Sequence, residues 1–154
     1  GLMGERPSKA VAGSTPPPVS DLDELIRSME PHRREGEFVF VDADSLPAIV
    51  TIEASVREDE GPSMVIARRD ADRMGLAYGF VAAWITLRVH SALDAVGLTA
   101  AVSSALADGG ISCNMIAGLR HDHALVPVDR ADDALAILRR LAAAHPGSDP
   151  ARIG

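Results

Sequence analysis

The sequence predicts an α+β fold in two halves, and three observations carry that expectation. Short runs of alternating apolar and polar residues recur between stretches with helical spacing, and Gly or Pro punctuates the joins. The second half reads strand, helix, strand, strand, helix, and the first half reads as a looser copy of that plan. The composition is that of an ordinary globular chain, with 154 residues, 47% hydrophobic and 24% charged, enough to bury a core.

Residues 1–20 carry the Pro16-Pro17-Pro18 run and almost no apolar periodicity, so a disordered tail is expected there, and 147–154 form a second tail. Ser20 is a suitable N-cap for a helix with Asp23 and Glu24 in its first turn and Leu22, Leu25, Ile26 and Met29 on one stripe; Pro31 stops it. Strands are expected at 37–42, 49–57 and 63–67, with a turn at Glu60-Gly61-Pro62 and a solvated tip at Glu58-Asp59-Glu60. Residues 69–74 read as a short helix closed by Gly75.

In the second half, 83–90 alternates Ile85, Leu87 and Val89 against Thr86, Arg88 and His90. Leu98, Ala101, Val102, Ala105 and Leu106 make a helical stripe over 98–108, closed by Gly109-Gly110. Strands follow at 111–117 and 124–128, where Pro127 marks an edge or a strand end. Asp132 and Asp133 open the last helix, whose stripe is Ala134, Leu135, Leu138, Leu141 and Ala142. With one more strand borrowed from elsewhere, this order is the split βαβ of a ferredoxin-like antiparallel sheet with its helices on one face. The expected division is a degenerate first half at 21–82 and a second domain at 83–146.

Charge and composition exclude several functions. Fifteen basic and 22 acidic residues give a net charge of −7, and Lys9 is the only lysine, so no phosphate-binding basic face is expected and no nucleic-acid partner. Aromatics at 3% do not supply a stacking platform. Cys113 is the sole cysteine, which rules out an intramolecular disulfide and suits a reducing cytoplasm. No apolar run reaches the roughly 20 residues of a membrane span, and no secretory pattern is visible, so a cytoplasmic location and no membrane partner are expected. Nucleotide-loop, metalloprotease and nucleophile-elbow motifs are missing, and neither catalysis nor a cofactor is expected.

Residues 84–129, WITLRVHSALDAVGLTAAVSSALADGGISCNMIAGLRHDHALVPVD, resemble the ACT domain family, in particular short bacterial proteins that pair two ACT-like halves. The segments that carry the resemblance are Ser91–Thr99, the helix ending at Gly109-Gly110, Ile111–Asn114 and His121-Asp122-His123. The resemblance implies tandem ferredoxin-like (ACT-type) βαββα units and a regulatory protein that binds an amino acid or similar metabolite without catalysis of its own. It places the ligand between the loop Asp94, Ala95, Val96, Gly97, Leu98 and the strand Cys113, Asn114, Met115, next to a neighbouring ACT unit. The loop lacks the Pro-Gly pair common in better-known ACT sensors. Its chemistry is coherent: amides at a helix start suit a carboxylate, Gly97 admits close approach, and strand carbonyls suit an ammonium group. Ferredoxin-like sheets leave open edges, so a homodimer is expected.

Plainer readings stand beside these. Gly97 also serves the strand-to-helix turn alone. His121 and His123 form a metal pair only with a third ligand such as His90, and otherwise sit at a polar hairpin. Cys113 alternates with Ile111 and Met115, which reads as packing rather than as a nucleophile served by His121 or His123. Tyr78 and Trp84 flank the join of the halves, as core or as lining of a pocket. A structural module that meets a protein partner and no ligand is the main rival reading.

Overall fold

The computed structural model describes residues 21–89 and 95–145. Ser20, both tails, His90 and Asp94 therefore lie outside the described residues. In chain order the elements are α1 (Asp21–Ser28), β1 (Glu30–Arg33), β2 (Phe38–Asp42), β3 (Ala54–Glu58), β4 (Gly61–Ala67), α2 (Arg68–Met74), β5 (Val81–Arg88), α3 (Leu98–Asp108), β6 (Asn114–Ala117), β7 (Asp122–Pro127) and α4 (Ala131–Ala144), with a 3-10 turn at Val128–Arg130.

One antiparallel sheet runs β3-β4-β2-β5-β7-β6, and β1 also pairs with β5. β5 organises it. One edge of β5 pairs with β7 over Ala82–Leu87. Along its other edge, β2 takes Val81 and Ala82, while β1 takes Ile85 to Arg88. Thus β6-β7-β5-β1 is one ferredoxin-like set of four strands, and β3-β4-β2-β5 is another. The strand that the second half had to borrow is β1.

The two faces of β5 differ. Ala83, Ile85 and Leu87 pack under α1, α3 and α4 with Ile26, Met29, Val102, Leu106 and Leu138. Ala82 and Trp84 face the other way, into a cluster with Phe38, Val65 and Leu125. In the first half, Val39, Val41, Met64 and Ile66 pack against Ala71 of α2. No helix follows β2; Leu46 and Val50 of that connection pack onto the cluster instead.

Most elements form where the pattern placed them, and the departures have physical reasons. Pro31 does end α1, but the chain continues directly as β1; a proline is tolerated because β1 has an unpaired outer edge. The strand expected at 49–57 is shortened to Ala54–Glu58; of the apolar run before it only Val50 packs on the core, while Ile49 is 87% and Ile52 47% exposed. The strand expected at 111–117 begins only at Asn114, although Ile111 is buried beneath the helices. Pro127 marks the end of β7, an interior strand between β5 and β6. Gly75 takes the left-handed conformation (φ 68°) and closes α2, its N–H donating back to Ala71 and Asp72 carbonyls.

Because α1 and β1 complete the second half, a cavity in α1 should weaken the whole molecule. Ile26→Ala, at a side chain 1% exposed, is expected to cost about 2–5 kcal/mol in urea unfolding. A single transition is expected, since β5 belongs to both sets of strands; two separated transitions would show that the halves unfold independently.

Candidate functional site

The loop before α3 is the first place to look. Gly97 is the N-cap of α3 with φ 104°, and among the described residues no side chain caps the helix. The glycine is required by its backbone angle, and a Cβ there, 2.7 Å from Leu22 Cδ2, would also displace the end of that side chain. The Ala101 N–H donates to the Gly97 carbonyl at 2.9 Å, so the amides of Leu98, Thr99 and Ala100 precede the first helical bond. Thr99 and Ala100 are exposed, as are Ala95 and Val96. α1, α2 and α4 all carry acidic residues in their first turns; α3 carries none.

Leu98, Cys113 and Met115 meet in the cluster beneath the helices. Asn114 is exposed and pairs with Leu125 on β7, which places it on the opposite, helix-free face. Burial pushes the Cys113 thiol above its ordinary pKa, so it stays protonated and poorly nucleophilic. β6 is the end strand of the sheet, and its outer row of backbone groups is unpaired.

The histidines do not form a metal pair. His123 lies on the helix-free face, where its Nδ1 accepts the Trp84 indole N–H at 3.1 Å and sits 3.1 Å from Thr86 Oγ1. An indole N–H can only donate, so Nδ1 is unprotonated and Nε2 carries the proton. His121 instead sets its Nδ1 3.4 Å from the Val89 carbonyl. Among the described residues, no group of three or more His, Cys, Asp or Glu side chains is arranged to hold a metal ion. A Cβ at Gly118 would fall 2.8 Å from the His121 carbonyl and 3.1 Å from His123 Nε2, so this glycine makes room for the imidazole.

A second concave region was not anticipated. Where β1 gives way to β2, the bend Arg34–Glu37, together with Glu53 and the start of α2, lines a groove of about 440 Å³. The Arg34 guanidinium stacks over Phe38 and Trp84, 4.9 and 4.8 Å from the ring centres, and pairs with Glu53 at 3.0 Å. Arg68 donates through Nε to Tyr78 Oη at 2.9 Å and through Nη1 to Glu37 at 3.0 Å; the Tyr78 hydroxyl donates to Asp72 at 2.5 Å. The bond to Tyr78, followed by that to Glu37, holds the Arg68 guanidinium above its ordinary pKa. Tyr78 and Trp84 each contact one of the groove's arginines but pack in the core clusters, the first of the two roles that their positions at the join offered. The arginines carried no motif, because their partners are 31 residues away for Arg68 and across the sheet for Arg34.

Two ferredoxin-like sets sharing a strand, with helices on one face, define a tandem ACT architecture. The comparisons agree: the ACT domain family matches residues 17–83 and again residues 80–140. A Vibrio cholerae protein of unknown function, described as a possible transport protein, is 39% identical, with a TM-score of 0.71 over 79% of this chain and 95% of that one. This chain belongs to the ACT domain family. Two more distant structures share the fold. An Agrobacterium tumefaciens protein, Atu0741, is 17% identical with a TM-score of 0.61 over 74% of this chain and 89% of its own. The regulatory subunit of aspartate kinase from Thermus thermophilus, in its ligand-free form, is 9% identical with a TM-score of 0.51 over 72% of this chain and 95% of its own. No curated protein matches the sequence. No helix among the described residues is long and apolar enough to cross a membrane.

The half-buried position of His123 predicts a pH dependence. Desolvation lowers its pKa, as do the neighbouring His121 and Arg34 charges, against a smaller opposing pull from Asp122. The unfolded chain therefore binds more protons below its histidine pKa of about 6.5, and stability is full above that value and falls with pH towards the folded pKa. The thermal midpoint of His123→Gln should fall less than that of the parent protein between about pH 7.5 and 5.5. Equal losses would place the titrating group elsewhere.

Proposed function

We propose that this is a regulatory small-molecule-binding protein with no catalysis of its own, whose ligand is an amino acid or similar carboxylate metabolite. The observation that carries the reading is the start of α3, where among the described residues no side chain caps the helix and no acidic residue occupies the first turn. Free amides and the positive end of the helix dipole favour a carboxylate at that point. The amides of Leu98, Thr99 and Ala100 are these donors, and the loop through Ala95, Val96 and Gly97 leads into them. Cys113 and Met115 form the apolar floor beside Leu98, which lies in the same cluster. The outer carbonyls of the β6 edge, around Asn114, receive the ligand's ammonium group from a neighbouring unit, so the working form is a cytoplasmic homodimer. Membership of the ACT family and the likeness in fold to an aspartate kinase regulatory subunit support the reading. The ligand acts by its differential affinity for two arrangements of the units.

One observation favours the rival reading, a module that meets a protein partner. The helix-free face exposes Phe40 at 39% and Val56 at 61%.

A thermal-shift screen against the twenty amino acids separates the two. A ligand at about 100 times its Kd adds roughly 2.7 kcal/mol, several degrees for a chain of this size. Gly97 is unsuitable for the control, because its φ of 104° strains any side chain there. Thr99→Asp is exposed and puts a negative charge at the start of α3. It should stabilise the ligand-free protein by about 0.3–1 kcal/mol through the helix dipole while abolishing the ligand-induced shift. A shift that survives Thr99→Asp removes the α3 start from the site, and a panel with no response favours the partner module.

A further inference from the structure

The groove at the bend between β1 and β2 is built more firmly than a surface crevice. The Arg34 backbone N–H donates to the Trp84 carbonyl at 2.9 Å, and the Arg68 backbone N–H donates to the Glu37 carbonyl at 2.9 Å. The bend is thus tied to β5 at one end and to the start of α2 at the other. Gly36, at φ 93°, lets the chain turn between these ties. Its two structural arginines are held in place before any ligand arrives: Arg34 by two aromatic rings and Glu53, Arg68 by Tyr78 and Glu37. Side chains already fixed lose little entropy on binding.

Each of these guanidinium groups still has donors to offer. Among the described residues, Arg34 meets a carboxylate through Nη1, and Arg68 uses Nε and Nη1 but not Nη2. A guanidinium carries five N–H donors in a planar fork, so both remain able to receive a carboxylate. The groove lining holds three guanidiniums and four carboxylates, and all but two of these groups are ion-paired. Arg34 is matched by Glu53, and Arg68 by Glu37 and Asp72. Glu35 and Arg69 line the same groove, and both are exposed with no ion pair among the described residues. Glu35 and Arg69 thus offer one partner to an ammonium group and one to a carboxylate, beside further arginine donors. They suit a molecule that carries both charges. The volume of about 440 Å³ lies within the roughly 300–1,000 Å³ range of small-molecule sites.

We propose that this groove is a second ligand site, separate from the α3 start, that takes a small zwitterion with its carboxylate towards Arg68 and Arg69 and its ammonium group towards Glu35. The site does not rest on the reading of the α3 loop. It joins the two halves across their seam: Glu35 follows β1, which packs with the second half against α4, whereas Arg69 belongs to α2, which packs on the first. A bound zwitterion would pin the bend to α2 and stiffen that seam.

The test is a titration of the ¹⁵N-labelled full chain by NMR with three probes: L-alanine as zwitterion, acetate as anion and methylammonium as cation. Alanine should move the amides of residues 34–37 and 67–72 saturably, at least about tenfold more tightly than either single-charge probe, the ratio that one charge-assisted hydrogen bond supplies. Glu35→Gln and Arg69→Gln alter exposed side chains outside the paired network, so both should fold with unchanged thermal midpoints and each should weaken alanine by about tenfold. Acetate binding as tightly as alanine would overturn the proposal. So would the absence of saturable change up to about 50 mM, well beyond millimolar affinity, or two variants that bind alanine like the parent. Shifts confined to residues 95–101 and 113–115 would also overturn it while supporting the α3 site. Shifts confined to the seam would do the reverse.

Discussion

The whole structure depends on β5 having two edges and two faces to satisfy at once. A buried strand must pair its N–H and C=O groups on both sides, and β5 does so with β7 along one edge and with β2 and β1, end to end, along the other. Its side chains alternate between the helix-covered cluster and the opposite cluster, and both are closed to solvent: Ala82, Ala83, Trp84, Ile85 and Leu87 are all buried. A one-residue slip of β5 would therefore exchange the contents of the two clusters. Neither set of four strands is complete without it, so the halves share a fate.

Sharing a strand creates the seam, and the seam gathers the polar chemistry. Where β1 and β2 meet on one edge of β5, the chain must bend, and the helix-free face has no helix to close it. Arg34 closes it instead, lying over Phe38 and Trp84. Trp84 in turn gives its indole N–H to His123 Nδ1, and that imidazole lies close to Gly118. On the far side of the bend, Arg68, Glu37, Tyr78 and Asp72 link the first strand of the first set to α2. The exposed pairs contribute little to stability individually, since solvent screens them, and their importance is positional.

Local chemistry was legible where it was periodic. The α3 stripe, the closing glycines, the hairpin at Glu58–Gly61 and the ACT-like order of the second half could be read from residue spacing. β1 could not. Four residues containing a proline carry no alternation long enough to mark a strand, and only pairing with β5 makes them one. The run 49–53 erred the other way, because of its three apolar residues only Val50 meets the core. At the α3 loop, Gly97 was singled out for a ligand's approach, and the structure adds a second demand on it from Leu22, 75 residues earlier in the chain. Asn114 and its neighbours Cys113 and Met115 were grouped by adjacency, yet a strand sends alternate residues to opposite faces.

The sequence by itself determined the class of fold, the helix stripes, the helix stops and the membership of a family, because each depends on residues a few positions apart. Only the tertiary structure decided which strand completes which set, that β5 serves both, and that Arg34, Glu53, Arg68 and Glu37 meet around one groove. The physical reason is separation along the chain. A charge acquires its role from whatever folding brings within a few ångströms, and no local pattern records a partner that lies across the sheet.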